Sequence, residues 1–81
     1  MILNGLKGLT IGDKGRVAGF NKQGRAYRKR LLAMGLTPGT EFSIVRFAPL
    51  GDPVEIALRG FSLTLRKDEA DILSVEKLDA E

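Results

Sequence analysis

The chain has 81 residues, thirteen Lys/Arg against ten Asp/Glu, a formal net charge of +3, no Cys and no His. That size suits one domain covering 1–81 and leaves no room for a second. Disulfides, thiolate nucleophiles and imidazole bases or metal ligands are excluded outright, so the usual sources of catalytic chemistry are missing and a binding protein is expected, not an enzyme.

The opening Met1-Ile2-Leu3-Asn4-Gly5-Leu6-Lys7 lacks the charged region and long apolar stretch of a leader. No later run approaches the ~18 apolar residues of a membrane span. The expectation is a cytoplasmic domain that does not insert into a membrane. Gly12-Asp13-Lys14-Gly15 forms a turn signal ahead of a short strand, Arg16 to Phe20, and Asn21 to Gly24 reads as a loop.

Residues 25–34, Arg25 to Met34, hold strong helix formers with no proline and no interior glycine, which predicts the one long helix. Gly35 then takes the left-handed position, Leu36 folds back on the helix, and Pro38 prevents continuation. Thr37-Pro38-Gly39-Thr40 fits a type II turn.

Strands follow. Phe42, Ile44, Arg46 and Ser43, Val45, Phe47 are expected on opposite sides of one extended run. Val54, Ile56, Leu58 and Phe61, Leu63, Leu65 form two period-two apolar sets joined at Gly60, which predicts a hairpin lining the interior. Residues 67–71, Lys67 to Asp71, look like a single helical turn, and Ile72 to Lys77 a closing strand. The fold class is therefore mainly β: about five short strands with one inserted helix, arranged as a small barrel whose closure hides the strand edges.

Charge is unevenly spread. Residues 1–50 carry nine Lys/Arg against Asp13 and Glu41, whereas 51–81 carry four against eight acids. Lys22, Arg25, Arg28, Lys29 and Arg30 fall within nine residues with no acid among them. On a helical wheel Tyr27, Leu31 and Met34 make a narrow apolar stripe facing the barrel. Arg25, Arg28, Lys29 and Leu32 follow the i, i+3, i+4, i+7 spacing of the opposite face, and a leucine ringed by cations is a candidate partner anchor.

The remaining chemistry-bearing residues have plainer explanations. Ser43, Ser62 and Ser74 lie inside predicted strands. Asp68, Glu69 and Asp71 sit where the helix dipole favours acids. Asp52 and Glu55 lack a calcium-loop spacing. No metal site and no cofactor is expected.

Arg30-Leu31-Leu32-Ala33-Met34-Gly35-Leu36-Thr37-Pro38-Gly39, followed by Ala48-Pro49-Leu50-Gly51-Asp52-Pro53, resembles the ferrous iron transport protein A family (FeoA). Arg59-Gly60 and Leu63 to Ala70 resemble the rest of that pattern, and Leu6 to Val17 fits it more loosely, so the likeness covers nearly the whole chain. The resemblance implies an SH3-like barrel in the bacterial cytosol. It implies an accessory role in ferrous iron uptake beside a large membrane transporter with a cytosolic GTPase domain. The same kind of domain resembles the C-terminal module of iron-dependent repressors, but no helix-turn-helix region is present here.

Two classes of function follow. The leading one is a protein-interaction module for the transporter, with Arg25, Arg28, Lys29 and Leu32 as its surface and the 48–53 loop, with Leu50 and Pro53, as the competing surface. Arg25 or Arg28 acting as an arginine finger on the GTPase is a narrower form of it. The alternative is a nucleic-acid binder using the basic cluster 22–30, disfavoured because Tyr27 and the four Phe are all explicable as core.

Overall fold

The structure is a computed structural model, and it describes residues 2–21 and 25–78. In chain order it contains β1 (Ile2–Asn4), β2 (Lys14–Phe20), α1 (Arg25–Ala33), β3 (Glu41–Phe47), β4 (Val54–Leu58), β5 (Phe61–Leu65), α2 (Lys67–Ala70) and β6 (Leu73–Leu78). All pairings are antiparallel, in the order β1-β6-β2-β3-β4-β5. One core draws on Val17, Phe42, Ile44, Val54, Ile56, Leu65, Leu73 and Val75 from five strands, with Leu31 of α1 and Ala70 of α2. The sheet is thus wrapped about a single interior, an SH3-like small barrel.

Six strands are present where about five were expected. The additional one is β1, three residues long, whose Leu3 packs half-buried on the core opposite Val75. Three residues carry too little alternation to announce a strand.

Two bulges reset the alternation. In β3 the register with β4 slips between Ile44 and Arg46. Strict period two places Arg46 on the side of Phe42 and Ile44. The extra residue instead turns Arg46 outward, where its Nε meets Glu55 Oε1 at 2.7 Å, and brings Phe47 against the core. In β2 a similar slip between Val17 and Gly19 leaves Ala18 unpaired and exposed.

The β4–β5 hairpin has the expected register, Val54↔Leu65, Ile56↔Leu63 and Leu58↔Phe61. Burial fades towards its tip: Val54, Ile56 and Leu65 are buried, Leu58 and Leu63 half-buried, and Phe61 is 48% exposed. Phe61 therefore does not line the interior. It sits at the Gly60 end of the hairpin, where its partner Leu58 marks the edge of the core, and the ring lies over Gly35.

Helix α1 ends as its sequence requires. Gly35 has φ +98°, Gly35 N–H donates to Leu32 O at 3.1 Å and Leu36 N–H to Leu31 O at 3.0 Å, the paired bonds of a Schellman motif. Thr40 N–H to Thr37 O, at 3.0 Å, closes the turn that follows. That turn is tied to β2, since Gly39 N–H donates to Val17 O and Val17 N–H to Thr40 O.

The turn before β2 is built on Asp13. Its Oδ2 accepts from Thr10 N–H at 2.9 Å and Thr10 Oγ1 at 3.0 Å, with Lys77 Nζ 3.5 Å away. The Thr10 backbone bond first, then the Thr10 hydroxyl and the Lys77 charge, hold the Asp13 carboxyl below the usual aspartate range. A lowered folded-state pKa adds stability above the unfolded value of about 3.9, and that stability is lost as pH falls through the folded value.

Two outcomes are expected. Ile56→Ala should lower stability by about 2–5 kcal/mol in urea titration, and Leu63→Ala by less than about 2 kcal/mol because Leu63 is only half-buried; equal costs would contradict the burial gradient. Asp13→Asn should be less stable than the parent at pH 7, with the gap between their melting temperatures closing below about pH 4; a gap constant down to pH 3 would contradict the role given to the Asp13 charge.

Candidate functional site

The candidate surface is built on α1, whose rotation about its own axis is set by Leu31, the one α1 residue that is fully buried. Around it the expected apolar stripe is only partly realised. Met34 packs half-buried on the core, but Tyr27 is exposed. Tyr27 instead lines a shallow hollow with Arg30, Arg66, Asp68 and Glu69. The helix rests on the barrel through one buried residue per two turns, too narrow a footprint to cover a ring at its N-terminal end.

Of the five clustered cations, Lys22 lies outside the described residues. Arg30 turns away from the other three: its Nε lies 3.4 Å from Oε2 of Glu69, whose side chain is 8% exposed. The other Glu69 oxygen accepts from Arg66 N–H at 3.0 Å and caps α2. Glu69 is thus a fastening between the two helices, and the helix-dipole explanation of it was incomplete. Its sequence signal was a Glu three residues after a helix-opening position. That signal was masked because Arg66 occupies the place where Ser or Thr usually stands.

Arg25, Arg28 and Lys29 are exposed, and among the described residues none of them forms an ion pair. The Arg28 guanidinium carbon lies 5.6 Å from the centre of the Phe20 ring, covering a half-buried aromatic. Leu32 is 38% exposed. The structure therefore brings Arg25, Arg28, Lys29 and Leu32 to one face of α1.

Leu50 and Pro53 lie apart from that face, in the loop between β3 and β4. The loop is closed by Ala48 N–H to Pro53 O at 2.9 Å and Gly51 N–H to Ala48 O at 2.7 Å, and pinned to α2 by Lys67 N–H to Asp52 Oδ1 at 2.9 Å. Leu50 projects from it, 96% exposed, at the rim of a cleft of about 210 Å³ shared with Leu6, Phe47, Val54 and Ala70. Pro53 lines a different hollow, with Arg30, Met34, Thr64 and Arg66.

Asp52 and Glu55 are engaged with Lys67 N–H and Arg46. Among the described residues no three carboxylates converge as a cation site. Ser43, Ser62 and Ser74 all lie on strands, and Ser74 Oγ stands 3.4 Å from Asn4 Oδ1.

Fold and surface together define a small SH3-like barrel carrying one basic helical face. The FeoA domain profile matches residues 5–77, and the chain belongs to that family. It is similar to the FeoA-like protein of Clostridium acetobutylicum, with a TM-score of 0.83 and 40% identity over 95% of this chain and 88% of that one. It is also similar to the FeoA protein of Chlorobium tepidum, with a TM-score of 0.81 and 38% identity over 95% of this chain and 72% of that one. A curated relative in Porphyromonas gingivalis is a fusion of Fe(2+) transport protein A with the Fe(2+) transporter FeoB, 32% identical over 75 residues; these are 93% of this chain and 9% of the fusion. A manganese-dependent transcriptional repressor shares the fold at a TM-score of 0.82 and 16% identity over 41% of its length, a likeness of fold alone.

Proposed function

We propose that this chain is an accessory protein of ferrous iron uptake, without chemistry of its own, that binds the cytosolic GTPase-bearing part of a membrane iron transporter and regulates or assembles it. The observation that carries this reading is the Porphyromonas gingivalis fusion, in which a domain similar to this chain shares one polypeptide with a FeoB transporter. Covalent fusion keeps two parts at high effective concentration. A separate chain needs a binding surface for the same end.

The basic face of α1 suits that task. Leu32 supplies apolar area at the centre, and Arg25, Arg28 and Lys29 supply a charged rim that speeds encounter with an acidic surface. The nucleic-acid reading is weaker on this geometry. At 100° per residue Tyr27 lies roughly 160° around the helix from Arg25 and Lys29 and roughly 100° from Arg28, and Phe20 is covered by Arg28, so base stacking finds no open aromatic on the basic face.

The test is capture of the transporter's cytosolic domain by this chain, with and without guanine nucleotide, using the parent, Leu32→Glu and Leu50→Glu. The parent and Leu50→Glu should capture it. Leu32→Glu should keep its fold and lose capture, since it places an unpaired charge at an interface centre. No capture by the parent contradicts the partnership, and loss by Leu50→Glu alone moves the interface to the loop.

A further inference from the structure

The cations of α1 stand where helix electrostatics oppose them. Arg25 is the first residue of the helix, and the first turn contains no acid. The aligned peptide dipoles place partial positive charge at that end, which favours acids and disfavours cations. Arg28 and Lys29 follow Arg25 at i+3 and i+4, neighbouring positions on a helix surface where like charges repel.

Elsewhere among the described residues four cations have acidic partners, including Lys77 near Asp13, while Lys7, Lys14, Arg59, Arg66 and Lys67 stay unpaired like these three but are not clustered in the first turns of α1. Arg16 bridges Glu76 at 3.2 Å and Glu41 at 3.5 Å across three strands, Arg46 holds Glu55 at 2.7 Å, and Arg30 holds Glu69 at 3.4 Å. On the Arg25–Arg28–Lys29 face no carboxylate answers among the described residues, and the exposed Leu32 continues the face one turn beyond Arg28 and Lys29. These are surface positions that packing does not dictate. Among the described residues only the Arg28–Phe20 contact offsets an arrangement that works against its own helix, and such an arrangement marks a surface kept for something outside the chain.

We infer that this face is a docking surface for an acidic protein patch with an apolar recess for Leu32, and that docking relieves the repulsion, so α1 is firmer in the complex than in the free chain. The partner's identity rests on the transporter reading above; the electrostatics of the free chain do not. The charge of the face selects the partner's chemistry: carboxylates opposite Arg25, Arg28 and Lys29 replace both the missing first-turn acid and the missing ion pairs.

Arg25→Glu separates the parts of this inference, because it improves the free helix and spoils the docking face. In the free chain its melting temperature should rise by about 2–6 °C over the parent, with Arg25→Gln in between. Binding of Arg25→Glu to the transporter's cytosolic domain should weaken at least about tenfold at low salt, with the gap narrowing as ionic strength rises. Amide exchange of residues 26–33 in the parent should slow on binding. A melting temperature unchanged or lowered overturns the opposed-charge account. A raised melting temperature with undiminished binding overturns the docking face. Failure of the parent to bind overturns the transporter reading instead, and the melting temperatures still judge the electrostatics.

Discussion

Leu31 anchors α1 to the barrel, and the exit of the helix locks that anchor in place. Gly35 takes the left-handed conformation that only glycine adopts freely, Leu36 returns its N–H to Leu31 O, and both leucines are fully buried in the common core. Once Leu31 points inward, the 3.6-residue repeat fixes every other side chain of the helix. Arg30 must turn towards α2, Arg28 on the other flank reaches over Phe20 of β2, and Arg25, Lys29 and Leu32 turn out to solvent. The turn at residues 37–40 carries the constraint onward, because its hydrogen bonds to Val17 tie the helix exit to β2.

Glu69 provides the second fastening. A carboxylate 8% exposed is costly without partners, and it has two, the Arg30 guanidinium and the Arg66 N–H. Through it the far side of α1 is joined to α2, and through Asp52 and Lys67 N–H the β3–β4 loop is joined to α2 as well. The two segments with exposed leucines, α1 and the β3–β4 loop, are thus held by short-range bonds to one four-residue helix. That arrangement keeps Leu32 and Leu50 on separate, independently testable surfaces.

Much of this was legible in the sequence. The helix, its glycine exit, the type II turn and the Gly60 hairpin all follow from local chemistry, and local chemistry is what a single sequence displays. The features that escaped are those fixed by distant contacts. The bulge that turns Arg46 outward depends on the β4 register, and the exposure of Phe61 depends on where the core stops. The Arg30–Glu69 pair joins residues far apart in the chain, so Arg30 was counted with cations from which the fold separates it. Tyr27 shares the angular sector of Met34, but the width of the helix footprint, which leaves it exposed, is set by the barrel beneath. The family likeness supplies the iron-uptake context, which no residue pattern here indicates by itself.

The proposed partnership puts the basic face of α1, and not the 48–53 loop, against the transporter. The most direct measurement is backbone amide chemical-shift mapping of the labelled chain titrated with the transporter's cytosolic domain. The account predicts shifts concentrated at residues 25–33, strongest around Leu32 and weakening as salt is added, with the loop at 48–53 little changed. Shifts confined to residues 48–53 and the cleft beside Leu50, with α1 unmoved, would contradict it.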